Sequence, residues 1–209
     1  MQSSRLIVIC AVLASSFFPS RGLAAGPGSA IRNLQTAIER MREGSFTLAP
    51  FAAVKFCLAN QGQCEDTGGD QIVNLTEERR QELLSVNSGI NRAIKPANDA
   101  SGTDVWSLDV AVGDCEDYAL TKKKNLLELG WPSRALRIAV GRTRSGEGHA
   151  VLVVKTSAGD LVLDNRSSTI REWTRTDLRW ISMQSSQNPK LWVSINAQSV
   201  DAANNYKHW

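Results

Sequence analysis

The chain has 209 residues, 42% of them apolar and 22% charged, with a formal net charge of +3. This is enough for one domain with a hydrophobic core, and it excludes collagen-like, coiled-coil and wholly disordered chains. The charge is too small to indicate a nucleic-acid partner, and the basic run Lys122-Lys123-Lys124 is only three residues long.

The first 25 residues carry Arg5, an apolar run from Leu6 to Leu13, and a small-residue end at Gly22-Leu23-Ala24-Ala25. That order describes a secretory signal, and the apolar run is too short to span a bilayer. Residues 1–25 are therefore expected to be a signal peptide cleaved near Ala24 or Ala25. Residues 26–209 would then form one periplasmic or secreted domain with no stable membrane insertion; an uncleaved anchor is the competing outcome.

Residues 30–42 place Ile31, Leu34, Ile38 and Met41 at helical spacing, and 48–59 read as a second, apolar helix. Cys10 leaves with the signal, so Cys57, Cys64 and Cys115 remain, an odd count in an oxidising compartment. Cys57 and Cys64 flank a short polar loop and are expected to form a local disulfide, which leaves Cys115 as the free thiol. Two reduced thiols or a different pairing are the alternatives, and no nearby Cys or His completes a zinc set. Residues 75–94 carry Leu83, Val86, Ile90 and Ile94 on one stripe, with Pro96 as a stop. Residues 97–113 read as a loop containing Trp106.

Asp114 then offers a helix N-cap, 118–129 read as helix, and Gly130 ends it. Beyond this the pattern changes to strands at 136–140, 150–156, 161–164 and 191–195, and the last ten residues read as a tail. Helices first and strands later predict an α+β fold, with helices packed on a mostly antiparallel sheet.

Cys115 opens a helix, where backbone N–H groups and the helix dipole favour a thiolate. A nucleophilic cysteine needs a base. The two histidines are His208, in the tail, and His149, at the start of a strand. Asp164 ends the following strand, and an antiparallel hairpin returns it beside His149, with Asn165 competing for the same orienting role. Singly, each residue has a plainer explanation: a small core Cys, an ordinary surface or core His, a turn-forming Asp. Cys115 shares a helix face with Ala119, Leu126 and Leu129, which favours burial, and Lys122 interrupts that face without explanation.

Asp114, Glu116 and Asp117 surround a residue that must become an anion, and uncompensated they would raise its pKa. Clustered carboxylates at a loop-to-helix junction suit Ca²⁺, although acidic residues in a first turn also complement the helix dipole unaided. Asp117 is the weaker ligand candidate.

The string Gly113-Asp114-Cys115-Glu116-Asp117-Tyr118-Ala119-Leu120, followed by Gly148-His149-Ala150 and Leu163-Asp164-Asn165, resembles the bacterial transglutaminase-like cysteine proteinases. Asn91-Arg92, Trp106 and Leu129-Gly130-Trp131-Pro132 extend the likeness over about residues 46–193. The resemblance implies a papain/transglutaminase-like fold with the nucleophile at a helix N-terminus. It implies Cys115 as nucleophile, His149 as base, Asp164 as orienter, and Ca²⁺ bound through Asp114 and Glu116. The implied activity is that of an exported thiol protease acting on a protein or peptide, with a cell-surface adhesin as the substrate of related proteins. A transglutaminase-type acyltransferase and a non-catalytic binding module on the same fold are the alternatives. Trp106 could donate its indole N–H to an oxyanion, although packing is the commoner use of a Trp.

Overall fold

The computed structural model describes residues 39–195. The signal segment, Cys10, most of the helix expected over 30–42, His208 and the tail lie outside the described residues. In chain order the elements are β1 (Glu43–Thr47), α1 (Phe51–Ala59), a 3₁₀ turn (Gln61–Cys64), α2 (Glu77–Ala93), β2 (Lys95–Pro96) and β3 (Val112–Gly113). They continue with α3 (Cys115–Glu128), β4 (Leu136–Arg142), β5 (Gly148–Thr156), β6 (Gly159–Leu163), β7 (Arg171–Glu172), β8 (Arg179–Gln184) and β9 (Trp192–Ile195).

Seven strands form one sheet in the order β1-β9-β8-β4-β5-β6-β7, antiparallel at every pairing. The expected α+β class and antiparallel sheet are therefore present. Strands β4, β5 and β6 are interior to the sheet, between β8 and β7, and their side chains are buried on both faces. Leu152 and Val154 of β5 join the helix-side core with Phe56, Leu83, Ala119, Leu126 and Trp131. Val151 and Val153 point the other way, to Trp173, Leu178 and Met183. Burial on both faces explains why 151–154 read as an unbroken apolar run rather than an alternating one.

Several expectations need correction. Residues 39–42 are not helical; Met41 is buried, and its backbone N–H donates to the buried Asp160 carboxylate at 2.7 Å. The polar segment of β1 and the short, mixed strands β7 and β8 gave no apolar alternation, yet they pair at the sheet edges and beside β4. Helix α3 begins at Cys115 with Asp114 as its N-cap, as expected, but Leu129 is half exposed rather than on the buried face. The expected Cys57–Cys64 disulfide is present and ties the end of α1 to the following turn.

Candidate active site

The N-terminus of α3 is fixed by a short parallel bridge, β2 beside β3, which draws residues 97–99 alongside Gly113 and Asp114. Asp117, in the first turn, accepts from the Ser107 backbone N–H at 2.8 Å and from the Asp114 N–H at 3.3 Å. This is one half of a capping box, and it fixes the angle at which the chain enters the helix. A side chain at Gly113 would collide with the Asp117 carboxylate, so glycine is required at this close approach. Cys115 is thereby held as the first residue of the helix, half-buried.

Strand β5 supplies the facing wall. The Ala150 N–H donates to Cys115 Sγ at 3.3 Å, so the residue after His149 touches the sulfur. His149 Nε2 lies 2.9 Å from Asp164 Oδ1, and both side chains are buried. With Nε2 so engaged, Nδ1 is the ring nitrogen left to take a proton. Asp164, not Asn165, makes this contact. The sequence-derived Cys115, His149 and Asp164 thus come from α3, the start of β5 and the end of β6 into one locality.

Asp164 is in turn held by Arg166, whose backbone N–H reaches Oδ1 at 2.9 Å and whose Nη2 reaches Oδ2 at 2.8 Å. Arg166 also donates to Asp177 at 2.8 and 3.2 Å. Burial alone would raise the Asp164 carboxyl, but the bonds from His149 and Arg166 outweigh it and hold the group well below the usual carboxylate range. Asn91 of α2 donates to the Asp164 carbonyl at 3.0 Å and to that of Ser167 at 3.1 Å. In the sequence Asn91 enters only as part of the family likeness, without a role, and Arg166 carries no signal beyond adjacency to Asp164.

The acidic corner is more crowded than the sequence suggested. Asp99, Asp114 and Glu116 each bring one oxygen within 4.8 Å of the others. Asp99 was missed because it lies 15 residues before Asp114, inside the loop that the β2–β3 bridge folds back. Its backbone N–H donates to Asp114 Oδ2 at 3.3 Å, while Asp114 Oδ1 is buried with no hydrogen-bond partner among the described residues. Burial pushes the Glu116 carboxyl up to about 8, and the Asp114 charge adds to this. Asp117 is committed to Ser107 and Asp114 and stands apart from the cluster. An orphaned buried oxygen among three carboxylates is a donor set fitted to a hard cation such as Ca²⁺.

The same carboxylates act on the sulfur. Burial pushes the Cys115 thiol far above its ordinary value, and the Glu116 charge, 3.1 Å from Sγ, pushes it further. Trp106 packs edge-on to Trp192 with ring centroids 6.3 Å apart, and its indole N–H donates to Asp104 at 3.1 Å. Its oxyanion role is thereby set aside. Lys122 is wholly buried, two helical turns from Cys115, and its Nζ has no hydrogen-bond partner among the described residues. Burial brings its amine down to about 7, while the Asp164 charge acts in the opposite direction.

The profile of the bacterial transglutaminase-like cysteine proteinases matches residues 43–200. No curated protein sequence matches the chain. Among solved structures, calcium-bound LapG of Legionella pneumophila aligns at 28% identity and a TM-score of 0.49, over 58% of this chain and 73% of that one. EGTA-treated LapG aligns at 30% identity and a TM-score of 0.48, over 55% and 66% respectively. No helix among the described residues is long and apolar enough to cross a membrane. With a matching profile across most of its length, the chain belongs to the family of bacterial transglutaminase-like cysteine proteinases.

Proposed function

We propose that this cysteine proteinase cleaves a protein substrate through a thioester on Cys115, with His149 as base and Asp164 as its orienting carboxylate. The observation that carries the reading is the His149–Asp164 contact at 2.9 Å, with the next residue's amide against the Cys115 sulfur. Nδ1 of His149 takes the thiol proton, and the sulfur attacks the scissile carbonyl carbon. The Cys115 N–H, at the first helical position, has no intrahelical acceptor and is placed to donate to the oxyanion. Collapse of that adduct breaks the C–N bond, and the imidazolium gives its proton to the leaving amine. Water, deprotonated by His149, then hydrolyses the thioester.

Asp99, Asp114 and Glu116 are the residues that would hold Ca²⁺. Bound there, it would supply positive charge offsetting the carboxylates that otherwise oppose a thiolate at Cys115. The calcium-bound and EGTA-treated forms of LapG support this reading by analogy. The expected signal peptide places the protein in the periplasm or outside the cell, where surface proteins such as adhesins are the accessible substrates.

The test is N-terminal mass spectrometry of bacterial surface proteins incubated with parent or Cys115→Ala protein, in calcium and then in EGTA. New N-termini are expected only with the parent protein in calcium. Equal cleavage by Cys115→Ala would refute the nucleophile. Incorporation of a labelled primary amine in place of new N-termini would assign acyl transfer instead.

A further inference from the structure

A cavity of about 390 Å³ adjoins Asp164 and is walled by Arg144, Arg166 and Arg171 together with Thr169 and Asp177. Val162 also lines it, and Val162 packs with Trp173 and Leu178 on the sheet face opposite α3. The cavity therefore opens on the other side of the sheet from the core that supports Cys115. Arg166 is shared between Asp164 and Asp177. The side chains of Arg144, in the turn between β4 and β5, and Arg171, at the start of β7, form no hydrogen bond or ion pair among the described residues. Three arginines thus line one concave space together with two carboxylates, and arginine keeps its charge at every physiological pH. With three arginines against two carboxylates the lining is net positive, and the planar guanidinium donors suit a carboxylate or tetrahedral oxyanion.

We propose that this cavity is an anion-binding site, in which Arg144 and Arg171 hold a carboxylate or oxyanion and Arg166 links its occupancy to Asp164. The link is physical. Arg166 touches the cavity, Asp177 and both oxygens of Asp164, and Asp164 touches His149. An anion entering the cavity competes for Arg166 first with Asp177, which is more exposed than Asp164. The shift in guanidinium position is felt at the imidazole. The site accepts a free inorganic anion or an acidic side chain of a bound polypeptide by the same chemistry.

The test follows the His149 imidazole resonances by NMR, at fixed excess calcium and constant ionic strength, during titration with sulfate against chloride. A second arm uses an acetylated triglutamate peptide against its triglutamine counterpart. Saturable movement with sulfate or triglutamate is expected in the parent protein, weakened at least tenfold in Arg144→Gln/Arg171→Gln and largely kept in Arg144→Lys/Arg171→Lys. Tighter binding of the peptide than of sulfate assigns the polypeptide source, and the reverse order assigns the free anion. Absence of saturation in both arms, or equal affinity in the glutamine double variant, overturns the proposal. The readout is binding rather than cleavage, so it stands or falls separately from the assigned nucleophile.

Discussion

Replacing Asp164 by Asn tests the arrangement around His149 most directly. Oδ1 accepts from both the His149 ring and the Arg166 backbone N–H, and Oδ2 accepts from the Arg166 guanidinium. An amide cannot serve all three donors. With its oxygen toward His149, its NH₂ confronts the guanidinium; turned round, the NH₂ faces His149 and forces the wrong tautomer. In either orientation the charge that supports an imidazolium is gone. A hydrogen bond to a charged group contributes about 1.5–3 kcal/mol, and about 1.4 kcal/mol corresponds to one pKa unit. The thiolate midpoint in Asp164→Asn should therefore rise by about one to two pH units. Below that midpoint, reactivity falls about tenfold per unit, so alkylation at neutral pH should slow by about 10- to 100-fold. Iodoacetamide labelling of calcium-loaded protein across pH, with Cys115 quantified by peptide mass, measures both quantities. Cys57 and Cys64 are bonded to each other and do not interfere. A folded Asp164→Asn protein that alkylates Cys115 at the parental rate, with the parental midpoint, would refute the proposed coupling.

The Asp164 carboxyl titrates lower in the folded chain than its ordinary value of 3.8, so its contribution to stability is complete above about pH 4 and is lost as pH falls below that. Urea unfolding of parent and Asp164→Asn proteins should show a stability gap that is constant near neutrality and closes on the acid side. Gly113→Ala places a methyl group against the Asp117 carboxylate and the Val110 side chain. It should cost about 1–3 kcal/mol by overpacking and slow Cys115 alkylation, both read on the same samples. The Cys57–Cys64 bond closes a short loop, with a sequence separation of 7. Its replacement by two serines should lower unfolding free energy by about 2–3 kcal/mol on loop-closure grounds, leaving the alkylation profile of Cys115 unchanged. A changed profile would place that loop in the site.

What could be read from the sequence follows from where each signal resides. The local string around Cys115 marks a helix start, and the hairpin between β5 and β6 brings His149 to the same end of the sheet as Asp164 and Asn165 without choosing between them. The β5 core emerges too, because four consecutive apolar β-formers leave little choice. The sheet edges do not. β1 reads Glu-Gly-Ser-Phe-Thr and is mostly exposed, and it becomes a strand only because β9 is there to pair with it. β8 buries Ser182 and Gln184, and the Gln184 side chain accepts from Lys123 Nζ at 2.9 Å and from the Ile138 N–H at 3.1 Å. Those polar residues erase the alternation that would have marked a strand. Asp99 is illegible for a related reason: its role depends on a two-residue parallel bridge that no propensity announces.

Lys122 shows what the sequence registers without being able to interpret. An amine on an apolar helix face looks like an error of pattern, yet the side chain is wholly buried and feels the Asp164 charge. Arg166 bonds the same carboxylate directly. Cations therefore gather around Asp164, while Asp99, Asp114 and Glu116 gather by the sulfur of Cys115. The imidazole of His149 bonds to the first group, and its neighbour Ala150 touches that sulfur. In this polarised frame, ionising the thiol adds negative charge where negative charge is already concentrated. Only a positive charge at the carboxylate corner, together with an imidazolium steadied by Asp164, reverses the sign of that interaction. The acidic residues beside the nucleophile are thus consistent with thiolate chemistry when they hold a cation, and opposed to it when they do not.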